Sequence, residues 1–198
     1  MNWNEHWAKI KTKVPFRNII YIILAAVIFL SFWFWYRAEY IQIEVYFSTK
    51  DAKHLVPEVR KVALADKYYQ AVQELIKGPR KEGLIRTIPA GTRVLAVEVR
   101  ERTAYLNMSR ELQERHWGGS AGEIFTVYSL VNTLSRFPEV DRVQLLLEGE
   151  EVSSLVGHLE LDQPLEPDYS LLKDSQSTEE DEKDVDSRQA EDTELTGI

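Results

Sequence analysis

The histidines and the absence of cysteine set the first limits on chemistry. The 198-residue sequence has four histidines and no cysteine. It therefore offers no disulfide, no thiolate zinc site, no cysteine nucleophile and no cysteine for a lipid anchor. His54, His116 and His158 fall in predicted loops or at strand ends, and no two of them stand at metal-ligand spacing. We predict no metal site and leave open only a zinc triad that the fold would have to assemble.

The serines are weak candidates for a nucleophile. Ser120 lies in the glycine-rich stretch 118–122, but the spacing differs from the Gly-x-Ser-x-Gly elbow of hydrolases. Ser120 and Glu123 match a capping box instead, in which each side chain binds a backbone N–H at the start of a helix. The same stretch lacks the lysine of a phosphate-binding loop. Ser153 and Ser154 also lie outside any nucleophile motif.

The remaining candidates are the carboxylates that follow an apolar strand. Glu148, Glu150 and Glu151 could form a carboxylate pair for glycan cleavage, but a charged turn after an apolar strand is the commoner origin of such a pattern. We favour the turn. The sequence thus predicts no catalytic residue, no cofactor-binding residue, no metal ligand and no cofactor.

Charge divides the chain into unlike segments. Residues 1–37 carry a net charge of +4, residues 38–172 carry −5, and residues 173–198 carry −7. We predict a basic cytoplasmic leader over 1–17, a transmembrane helix over 18–36, a folded domain over 38–172 and an acidic tail over 173–198. An acidic folded domain disfavours nucleic acid as a partner, because phosphate binding needs cationic surface.

The uncharged stretch 18–36 predicts a membrane anchor. As a helix it would span about 28 Å, close to the hydrocarbon thickness of a bilayer. The alternatives are a buried helix of a soluble core, which would need a polar face, and a cleavable signal peptide, which would need a small-residue cleavage site. Basic residues precede the stretch, so the positive-inside rule places the N-terminus in the cytoplasm and the domain outside the cell membrane.

The segment 173–198 predicts a solvated spacer. It has no aromatic residue and few apolar ones, so we expect it to stay disordered. A second interpretation is capture of calcium or of a basic partner by the acidic run 179–182. The spacing matches no calcium loop.

The domain itself predicts an α+β fold, with one two-layer arrangement in which two amphipathic helices lie on one face of a single sheet of about five short strands. The helices are expected over 67–77, capped by Asp66 and ended by Gly78, and from a cap at Ser120 to an end at Phe137 and Pro138. A single helical turn is expected over 109–114, and a short strand or irregular closing segment over 151–172. Alternating apolar residues predict strands over 41–47, 55–64, 93–99, 103–108 and 142–147, of which 93–99 and 103–108 form a hairpin.

Eight short motifs occur in a familiar order within residues 41–162. Together they resemble the GerMN domain of GerM-like sporulation and spore germination proteins. The motifs are 45–47, 55–58, 71–79, 83–84, 88–92, 104–109, 118–123, and 143–144 with 148–149.

This resemblance implies a non-enzymatic extracytoplasmic domain that acts by protein–protein assembly at the envelope of endospore-forming bacteria. It also implies kinship with ring-building α+β modules and supplies no catalytic residues. We expect a single-pass membrane protein whose partners are the membrane, through 18–36, and envelope or sporulation-complex proteins, with self-association left open. The alternative is an envelope glycan or small-ligand binding module, and an enzyme with an unrecognised site is the third hypothesis.

Overall fold

A computed structural model describes residues 16–36 and 39–173 of the chain. The chain divides into two compact units at the boundary between Glu39 and Tyr40. Apart from residues 16, 17 and 173, the predicted basic leader and acidic tail lie outside the described residues.

Among the described residues of the first unit, 16–36 form a helix, α1 (Phe16–Tyr36), which covers the stretch predicted to cross the membrane. The side chains from residue 18 to residue 33 are exposed. Within the described part of the chain, no helix combines the length and the hydropathy that crossing a bilayer requires. The transmembrane assignment of 18–36 therefore stays a prediction.

The second unit is a mixed α+β domain with two sheets, so the predicted class is confirmed and the predicted single sheet is wrong. One sheet has the order β2-β1-β3 and the other the order β4-β5-β6-β7. Pairing is antiparallel except between β5 and β6, which are parallel. The strands are β1 (Tyr40–Thr49), β2 (Leu55–Ala63), β3 (Leu84–Ile85), β4 (Val94–Arg100), β5 (Thr103–Met108), β6 (Arg142–Leu147) and β7 (Glu150–Glu151).

Three helices complete this domain. They are α2 (Lys67–Lys77), the single turn α3 (Glu111–Glu114) and α4 (Ser120–Leu134). Short 3₁₀ turns occur at Leu64–Asp66 and Tyr169–Leu171. One apolar core contains residues from both sheets, from α2 and from α4, which makes the two sheets part of one domain.

Helix α2 begins and ends where the sequence predicts, but the predicted side-chain cap at its start does not form. Gly78 adopts a φ of 89° and its N–H binds the Leu75 carbonyl, so glycine provides the left-handed exit. Asp66 occupies the N-cap position, but its side chain makes no capping hydrogen bond.

The predicted hairpin between β4 and β5 is confirmed. Arg100 pairs with Thr103, which leaves Glu101 and Arg102 as a two-residue loop. Both residues have positive φ, of 48° and 63°, as a type I′ turn requires. The turn therefore forms without the asparagine or glycine that would normally indicate it.

Helix α4 covers part of the edge of β1 that faces away from β2. Tyr46 lies opposite Pro57 of β2, which has no N–H, and the Tyr46 N–H donates to Thr133 Oγ1 of α4 at 3.2 Å. This contact covers part of the open edge of β1, where β3 pairs only with Ser48 and Thr49. A continuous sheet cannot extend past this helix, which explains why two sheets form.

The capping box predicted for α4 is wrong. The helix begins at Ser120 with Gly119 at the N-cap, and no side chain caps it. Glu123 is fully buried and binds a different part of the chain. The predicted amphipathic character is also wrong, because the polar residues of α4 are buried together with the apolar ones. The buried polar residues are Glu123, Thr126, Ser129, Asn132 and Thr133.

The closing segment is irregular, in line with one of the two sequence expectations, and it is held at four points. Its backbone pairs with Val143 of β6 through Leu165, and with Leu55 of β2 through Leu172. The Asn132 side chain binds both the N–H and the carbonyl of Asp168, at 3.0 and 2.9 Å. Gln144 donates to the Leu161 carbonyl at 2.9 Å. Residues 161–173 therefore connect the two sheets.

We predict that Leu106→Ala lowers the free energy of unfolding by about 2–5 kcal/mol, because Leu106 is fully buried in the core and the truncation leaves a cavity. Leu95→Ala is the matched control on the neighbouring strand, since Leu95 is 41% exposed. Urea unfolding of the two variants measures the difference. Equal losses for both would contradict the position of the core.

Candidate functional site

The histidines predicted to be unsuited to a metal site lie in three different loops of the structure. His54 lies in the turn between β1 and β2, His116 follows α3, and His158 lies in the loop after β7. Among the described residues, no group of three or more histidine, aspartate or glutamate side chains could hold a metal ion.

One buried carboxylate, Glu123, holds the loop 154–158. Its Oε1 accepts from the Ser154 hydroxyl at 2.6 Å and from the Leu155 N–H at 2.7 Å, and its Oε2 accepts from the His158 N–H at 2.8 Å. Val156 N–H donates as well, at 3.1 Å. Burial alone would raise the pKa of the Glu123 carboxyl, but these hydrogen bonds outweigh burial and lower that pKa. Ser154, a nucleophile candidate, is thereby used in holding the loop.

A second buried cluster joins β2 to the end of α2. Arg60 is 2% exposed, and its guanidinium donates to Glu58, to Glu74 and to the Gly78 carbonyl. The Glu58 carboxylate also accepts from the N–H groups of Arg80 and Lys81, at 3.0 and 2.8 Å. Burial alone would raise the pKa of the Glu58 carboxyl. The two N–H groups and the Arg60 charge have the larger combined effect, so the pKa is lowered.

Sequence reasoning missed this cluster. The alternating apolar pattern assigned Val59 and Leu64 to the apolar set of β2, yet they are 61% and 40% exposed. The buried face of the strand carries Glu58 and Arg60 instead. The two opposite charges at positions i and i+2 of a strand were the available signal, because such residues lie side by side on one face.

An aromatic corner precedes α4. The Trp117 side chain is 53% exposed and its ring stacks on His116 at 5.2 Å between centroids. His116 Nδ1 accepts the Gly118 N–H at 3.0 Å, and its Nε2 lies 3.1 Å from Thr126 Oγ1. Burial lowers the pKa of His116, and the Glu123 charge offsets this in part. The neutral imidazole of His116 therefore holds the backbone of this corner in place.

An open cleft lies at the β4–β5 turn and has a volume of about 530 Å³. Two ion pairs line it: Arg102 binds Asp141 through two nitrogens, and Arg142 lies 2.8 Å from Glu166. These side chains are more than half exposed, so the pairs add little to stability. Both arginines are already neutralised by neighbours, which makes the cleft a poor binding site for an anion.

A shallow groove of about 220 Å³ runs across the exposed side of the second sheet. We name this the outer sheet face. It combines a tyrosine and a leucine with a flanking Glu98–Arg100 ion pair, a composition typical of protein interfaces. β4 is the end strand of this sheet. The residues of the outer sheet face are Ala96, Glu98, Arg100, Tyr105, Asn107 and Leu146.

Comparison with known proteins identifies the domain. Residues 44–153, more than half of the chain, match the Germane family, described as sporulation and spore germination. The chain belongs to this family. The comparison with curated proteins gives no match.

Solved structures show the same fold. The tandem GerMN domains of the sporulation protein GerM from Bacillus subtilis are 24% identical with a TM-score of 0.56, over 65% of this chain and 46% of that one. The first GerMN domain of the same protein is 24% identical with a TM-score of 0.52, over 64% and 97%. The chain thus spans about half of the tandem structure and nearly all of the single domain. A putative lipoprotein from Clostridium perfringens is 23% identical over 64% and 87%, with a TM-score of only 0.47.

We predict that Glu123→Gln lowers the free energy of unfolding by about 2–3 kcal/mol at pH 7, because an amide cannot accept all four hydrogen bonds. Since the folded pKa of Glu123 is lowered, its contribution is complete above the unfolded pKa of about 4.3 and is lost as pH falls through the folded value. Urea unfolding between pH 7 and pH 3 should therefore show a smaller loss of stability for the variant than for the wild type. The control is Glu160→Gln in the same loop, which is exposed and should be neutral.

Proposed function

We propose that this Germane-family chain is a non-enzymatic, membrane-attached and extracytoplasmic module of sporulation or germination that acts by protein–protein assembly. The observation that carries the proposal is that the polar side chains considered as catalytic candidates are already bound to other parts of the protein. Ser154 and Glu123 bind each other and the loop 154–158, and His116 holds its own corner. Groups engaged in this way are poorly placed for nucleophilic or acid–base chemistry, which needs an accessible nucleophile beside its base.

The outer sheet face supports the assembly part of the proposal. Tyr105, which is 36% exposed, and Leu146 both line the groove. Interface hot spots are enriched in tyrosine and arginine, and they cluster where apolar surface is surrounded by polar groups. This surface is therefore the first place to look for a protein partner.

The run of exposed apolar side chains in α1 supports the membrane part. Ile22, Ile28 and Leu30 are 63%, 62% and 63% exposed within the chain. A contiguous apolar surface of this kind requires a cover, and for a stretch that is uncharged from residue 18 to residue 36 a lipid bilayer is the natural one.

A second candidate function is glycan binding, favoured by Trp117. An exposed indole, held in place by stacking on His116, can pack against a sugar ring. Trp117 also distinguishes the two candidates. A glycan stacked on the indole would shift its fluorescence, whereas a protein on the outer sheet face would leave it unchanged.

We predict that a photo-crosslinking residue at position 105 captures a discrete protein adduct in sporulating cells, while the same residue at position 59 does not. Val59 is 61% exposed on the other sheet and is the matched control. Leu146→Arg should reduce the yield at position 105, because losing a hot-spot contact costs about 2 kcal/mol, roughly thirty-fold in Kd. Equal adducts at both positions, or none, would argue against assembly through this face.

We predict that the full-length chain stays with the membrane fraction after alkaline washing and that protease added to intact protoplasts removes its domain. Replacing Ile23 and Val27 by lysine should release the chain, because a charge at the centre of a spanning helix costs about 2.5–3.5 kcal/mol. Val59→Lys in the domain is the control and should change nothing. Recovery of the wild type in the soluble fraction would refute the anchor.

A further inference from the structure

The domain has an uneven charge distribution that its proposed function does not explain. Residues 38–172 carry a net charge of −5, but residues 77–86 contain four basic residues and one acidic residue. We name residues 77–86 the basic loop. The Lys77 and Arg80 side chains are 62% and 69% exposed, and Lys81 is exposed as well.

The buried cluster around Arg60 holds this loop in a defined position. Arg60 binds the Gly78 carbonyl, and Glu58 accepts the backbone N–H groups of Arg80 and Lys81. Arg86 binds the Ile76 carbonyl at the end of α2, at 2.5 Å. The backbone is therefore fixed from within, while the side chains of Lys77, Arg80 and Lys81 remain exposed. Lys77 and Arg80 also form ion pairs with Glu74, at 2.5 and 3.1 Å, so the Lys81 ammonium group is the cation of the loop best placed to bind a further carboxylate. A surface that is preorganised in this way binds at a lower entropic cost.

The described chain ends beside this loop. The Lys173 N–H donates to the Leu55 carbonyl at 3.1 Å, and the Lys81 Nζ donates to the Pro57 carbonyl at 3.3 Å. Carbonyls two residues apart in a strand point to the same edge, about 7 Å from each other. The Lys173 N–H and the Lys81 ammonium group therefore bind two neighbouring carbonyls on the same edge of β2.

The chain continues from this point with strongly acidic residues. Residues 174–198 contain ten acidic and two basic residues, and four consecutive acidic residues occupy 179–182. These four follow Lys173 by six to nine residues, a length that spans at most about 20–30 Å. The covalent distance is ample for them to reach Lys81.

We propose that the acidic segment 174–198 binds the basic loop of its own chain. Each exposed ion pair is weak by itself, but several of them act together, and the covalent link keeps the acidic segment at an effective concentration in the millimolar range.

Carbodiimide crosslinking of the full-length chain tests the proposal, since this reagent joins a lysine to a carboxylate only when the two groups touch. At low ionic strength we expect mass spectrometry to find Lys81 linked to residues 179–182 at least ten-fold more often than Lys61, an exposed lysine of β2. Salt at 0.5 M should reduce the Lys81 links at least five-fold, because the Debye length is then about 4 Å.

Two matched variants and a dilution series complete the experiment. Lys81→Gln should abolish these links and Lys61→Gln should leave them intact; both residues are exposed, so both variants should fold. Yields that do not change on ten-fold dilution indicate contact within one chain. Links spread evenly over the lysines, insensitivity to salt, or yields that rise with protein concentration, as for a second copy, would each overturn the proposal.

Discussion

The domain depends on the burial of α4 on almost every side. A helix in this position cannot direct its polar side chains to water, so each of them must find a partner in the protein. Thr126 donates to the Thr87 carbonyl at 2.7 Å, Thr133 accepts an N–H of β1, and Asn132 and Glu123 bind loops. One helix thus connects both sheets and the end of the domain, and its polar residues determine where each neighbouring segment lies.

This arrangement extends the folded module beyond the region that matches the family. The match ends at residue 153, whereas Glu123 holds residues 154–158 and Asn132 holds Asp168. The closing segment 161–173 is therefore an integral part of this domain. It also delivers the chain to the edge of β2, where the basic loop lies, so the same contacts that complete the fold determine which surface is nearest to the residues that follow.

Local sequence patterns predicted most helices and strands, but they did not predict which distant segments pack against them. The bounds of α2, β5 and β6 agree with those expected from the sequence, because apolar periodicity and end signals such as Gly78 act over a few residues. The capping box at Ser120 failed for the opposite reason. Glu123 has four donors available in a loop more than thirty residues away, and a short sequence motif carries no information about them.

The sequence by itself determined the α+β class, the order of the five longer strands and the two longer helices, the lack of cysteine chemistry, and the family to which the chain belongs, since these follow from residue types and short-range spacing. Tertiary structure alone decided that the strands form two sheets, that β2 buries Glu58 and Arg60 instead of Val59, and that Tyr105 and Leu146 share one open face. The physical reason is that the stability of a buried charge or of an exposed apolar group depends on partners brought from distant positions, which local periodicity does not encode.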